Sequence, residues 1–417
     1  MARPSALISS QNHVEVPFII VKIGDYTFGH CDKAYKNSLQ TRFSITYPNY
    51  LDSLSIVKIN GAINTYTISM IYAITENDDP NRLEKVFSSV ANSRMLTLSY
   101  GDWNAPEYMF KNEEAIITSV KTQVNMVNST ISYTIQCTST SLTLKAATLD
   151  FSARYEKPST VIIELLNDVN LGLRDIFKGM SKTNVDLGNF IARDDQKVQI
   201  EAKTAINVLE YISYLVSCMV FEGDDASKNI KTSCYFWSVY DDTTSIYGGT
   251  YFKVVRVQVN SNTLVSYNTY EIDIGYPSAT NVVDFTINND DSWALLYDYG
   301  SKIDMPQYDY YIDNKGNMLK ELSSTTTRSR TTFAPNPAAK NWWSLVTQFP
   351  ITARLTIKGL LRPAMLMSYV KLNVYFYGHK HTSSGLYIIT KQEDQINRAG
   401  YRTTLSLTRI GGDEHYA

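Results

Sequence analysis

Strict alternation of apolar and polar side chains recurs along this chain, and it rules out most folds. In the last such stretch Tyr401, Thr403, Leu405 and Leu407 fall on one face, with Arg402, Thr404, Ser406 and Thr408 on the other. A period of two is what a half-buried strand needs, since successive side chains leave opposite faces of the pleat. The same rhythm runs through Leu39 to Tyr47, Tyr66 to Ile74 and Ile351 to Lys358. Composition points the same way. Hydrophobic residues are 44% of the 417, there are 30 Tyr, and only 19% of residues are charged. Tyr and Thr suit pleated, half-buried surfaces, and Tyr joins a large apolar ring to a polar tip. The expectation is a mainly β protein with an α+β insertion, whose surface is largely committed to other proteins.

The length predicts two or three domains. Residues 1–150 read as a β domain with one helix, able to close as a barrel or a sandwich. Its strands are Phe18 to Ile23, the alternating runs above, Met95 to Tyr100, Ala115 to Val127 and Thr130 to Ser139, the last two joined at Asn128-Ser129. Its helix opens at Asp79-Pro80 and carries Leu83, Val86, Phe87 and Val90 as one stripe. Residues 151–321 read as an α+β inserted region. Ser159 is the expected cap of a helix bearing Ile162, Leu165, Leu166 and Val169 and ending near Gly172. Thr204 is the expected cap of a second helix, Ala205 to Met219. Strands follow at Ser233 to Tyr240, Thr250 to Val259, Thr269 to Ile274 and Asn281 to Ile287. The stretch Leu322 to Pro337, within a segment 322–344, is poor in apolar residues and reads as a linker or mobile loop, either an arm that orders on a partner or a plain surface loop. Residues 345–417 read as a four-strand meander: Ile351 to Lys358, Leu366 to Tyr377, Leu386 to Lys391 and Tyr401 to Thr408. A polar connection is expected between the last two, and strands of the inserted region are expected to close the unit.

No catalytic set converges in the sequence. His379-Lys380-His381 has no third ligand nearby for a metal. His30-Cys31-Asp32 has the residue types of a thiol nucleophile with its base, but adjacent strand residues point apart. The pairs Asp194-Asp195, Asp224-Asp225, Asp241-Asp242 and Asp290-Asp291 have the chemistry of glycosidase carboxylates, yet each lies at an element boundary where Asp caps or turns. Calcium-loop and phosphate-loop patterns are missing. Trp342-Trp343 reads as a packing anchor in preference to a sugar platform. The expectation is no enzyme, no cofactor and no metal. A net charge of −2 with scattered Lys and Arg argues against specific nucleic-acid binding. The four Cys (Cys31, Cys137, Cys218, Cys234) form no CxxC pair and read as buried thiols of a reducing compartment. No signal peptide is read, and the longest apolar run, near Tyr211 to Phe221, is short of the ~20 residues that span a bilayer. A soluble protein folded in a cytoplasm is expected.

The ending of the chain resembles the closing hairpin of the baseplate hub family of bacteriophage tails and related contractile injection machines, in which a GxYxI(T/V)K…GYxTTLxLxR pattern recurs. The matching residues here are Gly385, Tyr387, Ile389, Lys391, Gly400, Tyr401, Thr403, Thr404, Leu405, Leu407 and Arg409. The run Asn281 to Asp290 is similar to the strand that closes the inserted region in that family. Where related chains continue Arg-Pro with Gly-Asp, this one has Arg362-Pro363-Ala364-Met365. The resemblance implies two tail-tube-like β-barrel domains flanking inserted segments, the second completed by residues 345–417. It implies a homotrimer, whose six tube-like domains would match a sixfold tail tube on one side and a threefold central spike on the other. Baseplate neighbours, a place in the virion tail baseplate after assembly in the host cytoplasm, and a pore passing DNA without specific binding also follow from it. The pore lining would be strand faces bearing Thr, Ser and Gln. Rival expectations are a host-surface carbohydrate-binding tail protein and a tail-associated peptidoglycan hydrolase.

Overall fold

The computed structural model describes residues 16–31, 45, 47–48, 50–73, 86–87, 94–102, 110–146, 148–168, 170–171, 195–219, 233–242, 249–258, 268–274, 282–289, 302–305, 308–312, 318–321, 330–332, 351–358, 366–397 and 399–411. Eight strands come from the N-terminal part: β1 (Pro17–Ile23), β2 (Tyr26–Cys31), β3 (Tyr47–Pro48), β4 (Leu51–Ile59), β5 (Thr65–Ala73), β6 (Met95–Asp102), β7 (Phe110–Asn125) and β8 (Thr130–Ser139). They lie in the order β4-β5-β8-β7-β6-β1-β2-β3, antiparallel except where β3 joins β2. The alternation of β5 places Tyr66, Ile68, Met70 and Tyr72 in one core with Ile19 and Val21 of β1, Leu54 and Ile56 of β4, and Tyr133 and Ile135 of β8. Tyr50, just ahead of β4, stacks on Tyr72 at 5.1 Å and meets the Phe28 ring of β2 edge-on at 6.5 Å. The two ends of this run therefore curl toward one another. Val86 and Phe87 are helical, and Phe87 lies on Tyr133; the rest of the expected helix, and the alternating run Leu39 to Tyr47 apart from positions 45 and 47, fall outside the described residues.

The middle of the chain builds a second core. It contains β9 (Thr148–Phe151), β10 (Arg154–Glu156), helix α1 (Pro158–Leu166), β11 (Val198–Ile200), β12 (Lys203–Asn207), helix α2 (Val208–Cys218), and the hairpin β13 (Ser233–Asp242) and β14 (Gly249–Gln258). Val161, Ile162 and Leu165 of α1 and Leu209, Ile212 and Leu215 of α2 share it with Trp237 and Phe252. Two helix starts differ from expectation. Residues Lys203 to Asn207 pair with β9 as a strand, so α2 begins at Val208, capped by the Asn207 side chain, which accepts from the Glu210 N–H at 2.9 Å. Helix α1 begins at Pro158 and ends at Leu166. Ser159 lies inside its first turn, where Asp195 does the capping from a distant part of the chain: it accepts from the Ser159 N–H at 2.9 Å and the Ser159 hydroxyl at 2.6 Å. Removing the hydroxyl, by Ser159→Ala, leaves a buried carboxylate short of a donor. The expected loss is about 1–3 kcal/mol, read as a shift in the urea midpoint.

The remaining strands are β15 (Asn268–Ile274), β16 (Val282–Asn289), β17 (Lys302–Met305), β18 (Tyr308–Ile312), β19 (Met318–Glu321), β20 (Arg330–Thr332), β21 (Ile351–Lys358), β22 (Tyr369–Phe376), β23 (His379–Lys380), β24 (Gly385–Asn397) and β25 (Gly400–Gly411). Strands β17 to β20 form a separate antiparallel sheet, so part of the stretch read as a linker is paired as β20. The C-terminal strands are not a meander. β21 pairs with β25, not with β22, and the order is β16-β21-β25-β24 with β22 on the other edge of β24 and β15 parallel to β22. The expected closure by inserted-region strands is present in β15 and β16. The expected polar connection is also corrected: Gln392 to Asn397 continues β24, and the chain reverses only at the step into Gly400, which has φ +140°. A third core, with Leu355 and Ile357 of β21, Leu372 of β22, Tyr387 and Ile389 of β24 and Leu405 and Leu407 of β25, fills this end.

Candidate functional site

The two ends of the chain meet on strand β24, which changes partner halfway along. Its first part, Gly385 to Ile388, pairs with β22, and its second, Lys391 to Asn397, pairs with β4 on the same edge, while β25 follows it throughout on the other. The change occurs at a bulge. Ile389 opposes Leu407 and Lys391 opposes Ser406, leaving Thr390 as the extra residue. Ile389 still exchanges backbone hydrogen bonds with Met367 and Ser368, at 2.9 and 3.0 Å, whereas the Thr390 carbonyl accepts from the Asn60 N–H at 2.8 Å. The Thr390 hydroxyl donates to the Ser406 carbonyl at 3.2 Å and steadies the kink. A bulge bends and twists its strand locally, which lets one continuous ribbon serve two cores.

The inner faces of β24 and β25 therefore cross two cores. Tyr401 and Ile396 belong to the N-terminal core, and Leu405, Leu407, Ile389 and Tyr387 to the C-terminal one. Between them lies a buried polar band. Asp394, 1% exposed, accepts from the Thr403 hydroxyl and the Gln392 amide, both at 2.6 Å. Next to Gln392 across the pairing is Lys58 of β4. The Lys58 ammonium, buried as well, lies 2.9 Å from the Glu113 carboxylate of β7. Glu113 is fully buried and accepts from the Tyr66 hydroxyl at 2.5 Å and the Tyr100 hydroxyl at 2.6 Å. Six strands thus converge on one ammonium and two carboxylates. Burial pushes the Asp394 carboxyl up to about 6 and the nearby Glu113 charge adds to this, while Thr403, Lys58 and Gln392 hold it down. Burial, then the neighbouring carboxylates, hold the Tyr100 and Tyr401 hydroxyls well above the ordinary tyrosine range.

The opposite face of the same strands is mostly polar and half-exposed, with Val57, Ile59 and Ile71 as apolar exceptions in its N-terminal half. The registers align eight strands, β16-β21-β25-β24-β4-β5-β8-β7, with their outward side chains on one surface. The N-terminal half presents Ser53 and Ser55, Thr65, Thr67 and Ser69, and Ser132, Thr134, Gln136 and Thr138. The C-terminal half presents Thr352, Arg354, Thr356 and Lys358 of β21, Arg402, Thr404, Ser406 and Thr408 of β25, and Lys391, Glu393 and Gln395 of β24. Arg354 reaches Glu393 at 3.5 Å, and Lys391 pairs with the same carboxylate.

Every residue of the hub-like pattern has a place in this arrangement. Gly385 opens the part of β24 that pairs with β22, Ile389 follows its last residue and bonds to Met367 and Ser368, and Lys391 is the first residue beyond the bulge. The buried Tyr387 hydroxyl donates to the Ser383 carbonyl at 2.6 Å, and the Arg409 guanidinium donates to the Ser384 carbonyl at 2.9 Å; together they fasten the chain entering β24. Tyr401, Thr403, Leu405 and Leu407 face the cores, while Thr404 contacts Thr356 across strands at 3.2 Å. Lys58, Glu113, Tyr66, Tyr100, Gln392 and Asp394 were not singled out by the sequence. Their signal is weak: charged residues at inward positions of otherwise regular strand patterns.

The other candidate residues stay apart. His381 Nδ1 contacts the Ser383 hydroxyl at 2.7 Å, and among the described residues no group of three metal-ligating side chains exists. Asp195 is a helix cap, as above. Cys137 and Cys218 are buried free thiols, pushed up by burial to about 12 and about 11 and so kept from forming reactive thiolates. Asp32, Asp224-Asp225, Asp290-Asp291 and Trp342-Trp343 lie outside the described residues. No described helix is long and apolar enough to cross a membrane.

No family profile matches the sequence, and no curated protein matches it. Solved structures do. The 43 kDa tail protein of prophage MuSo2 from Shewanella oneidensis matches with a TM-score of 0.51 at 12% identity, over 94% of this chain and 98% of that one. A tail protein from Neisseria meningitidis MC58 gives 0.48 at 9% identity, over 94% and 96%. The E. coli c3393 protein, a component of the type VI secretion system, gives 0.45 at 9%, over 86% and 73%. Identity at this level speaks for fold alone, and of these three only the MuSo2 protein is near enough in shape to carry it. Over almost its whole length, the chain has the fold of a phage-type tail protein.

Proposed function

We propose that this protein is a structural hub of a phage-type tail baseplate, joining a sixfold tail tube to a threefold central spike as a homotrimer and forming part of the DNA conduit. The observation that carries the reading is the eight-strand face made continuous by β24. Four of its strands come from each end of the chain if β16 is counted with the C-terminal group. One protomer thus offers two four-strand arcs, and three would offer six, the match a sixfold tube requires. At ~4.8 Å between strands, 24 strands close a ring ~37 Å across before strand tilt widens it. Such a ring admits a nucleic-acid duplex. The N-terminal half of the face is rich in hydroxyls and amides beside Val57, Ile59 and Ile71, in keeping with the lining proposed from the sequence, and the C-terminal half adds a mixed, predominantly basic set. The segments 1–150, 151–321, 322–344 and 345–417 are the proposed units, the first and last tube-like and the second inserted between them. Structural use of the inward groups, with no convergent nucleophile and base among the described residues, favours assembly over catalysis.

Solution mass by light scattering, across a concentration series and with a candidate spike protein added, tests the reading. A species at three times the 47.2 kDa chain mass is expected, alone or with the spike. A monomer under both conditions would overturn it, and binding on a glycan array would then favour a host-surface carbohydrate role.

A further inference from the structure

We propose that Lys358 and Arg402, with Arg354 beside them, form a sequence-independent contact site for nucleic-acid phosphates on the exposed sheet face. The inference rests on the conduit reading and deepens it. Lys358 and Arg402 are direct partners across β21 and β25, both exposed. Cβ atoms at opposed positions lie ~5 Å apart, and like charges there destabilise the pairing. Among the described residues neither has an ion-pair partner. The acidic residues of this half are Glu393, already shared by Arg354 and Lys391, and Asp284, which stands opposite Thr356. A bound polyanion would remove the repulsion.

The surroundings select among anions. The described outward residues of β21, β25 and the second half of β24 are hydroxyls, amides and charges, without an apolar or aromatic side chain. Protein partners are held mainly by desolvated anchors of those missing types. A phosphodiester backbone needs only cations and small hydrogen-bonding groups, which is what Thr356, Thr404 and Ser406 add. Repeated along the strands and lacking a groove-reading helix or ribbon, the site holds backbone and ignores sequence. In a trimer it would recur three times around the channel and slow a passing duplex without trapping it.

The test uses the full chain and a fluorescent random-sequence DNA duplex, with affinity measured by anisotropy from about 50 to about 200 mM salt. Two phosphate contacts per chain predict a log–log salt slope steeper by ~1.8 in the native protein than in Lys358→Gln/Arg402→Gln, so that native affinity falls about tenfold further over that range. The double variant should melt no lower than the native chain, because it relieves a repulsion. Lys22→Gln, exposed on β1 away from the face, should bind DNA as the native chain does. Equal slopes for native and double variant would overturn the site. Binding of a poly-glutamate peptide that is lost in the double variant, with DNA binding unchanged, would overturn it in favour of an acidic protein partner. A monomer whose DNA binding still depends on Lys358 and Arg402 would leave the site standing and remove the conduit.

Discussion

Replacing Lys58 with Met lowers stability by about 3–5 kcal/mol, because Glu113 and Asp394 are then buried together with no cation between them. The apolar stem of Lys58 already packs inside, so Met fills nearly the same volume and the change isolates the charge. The companion variant Lys58→Met/Glu113→Gln recovers most of the loss. A neutral amide can still accept from one of the two tyrosine hydroxyls, and buried ion pairs replaced as a pair are often close to neutral. Urea unfolding followed by tyrosine fluorescence and by far-ultraviolet dichroism measures both, and coincidence of the two probes checks that the transition is all-or-none. Equal loss in the single and double variants would show that the ammonium acts through packing alone. The band also guards register. Slipping β24 by one residue against β4 would bring Glu393 inward and turn Asp394 out, away from Thr403 and Lys58.

The second large effect is on pH. The Asp394 carboxyl is raised from 3.8 to about 6 in the folded chain, chiefly by burial. The native state therefore binds more protons than the unfolded state between those values, and this group's contribution falls as pH rises through that window. Two units correspond to about 3 kcal/mol, fully present near pH 3 and gone by about pH 7. The charged groups facing Asp394 are Lys58 from β4 and Glu113 from β7, with Tyr66, Tyr100 and Tyr401 beside them. Burial holds the Tyr100 and Tyr401 hydroxyls well above the ordinary tyrosine range, so they stay protonated throughout the window. Asp394→Asn removes the titrating group while Gln392 can turn its amide to keep the bond. Unfolding free energies of native and variant protein, taken from pH 3 to 8, should draw apart by that amount as the pH rises, the variant gaining. A constant difference across the range would show that Asp394 is ionised throughout.

These two residues also mark where the sequence could be read and where it could not. Strands with clean alternation, such as β5, β21 and β25, are legible because their inward positions are apolar. The second half of β24 is a strand as regular as those, but its inward residues are Gln392, Asp394 and Ile396, and a polar inward residue reads as a loop. Only a partner carrying the opposite charge makes such a strand sensible, and that partner, Lys58, lies near the other end of the chain. β4 escapes for the same reason at Lys58. The helix caps fail differently: Ser159 and Thr204 have good capping chemistry, but Asp195 and the pairing of β12 with β9 prevail, and both are tertiary. The residues of the hub-like ending fall on one hairpin, β24 with β25. Its residues could not show that the ribbon is shared by two cores, since the exchange depends on one inserted residue, Thr390.

That shared ribbon sets an order of events for a chain made from its N-terminus. Strand β4 leaves the ribosome well before β24, with its hydrogen-bonding edge bare and Lys58 still apart from the band it will join. Its neighbour β24 is synthesised long after it. Until then the N-terminal core lacks Ile396 and Tyr401 and exposes a strand edge open to other chains. A transcript cut short before residue 391 would yield a product that is not merely incomplete but adhesive, so a cell making this protein gains from finishing every copy.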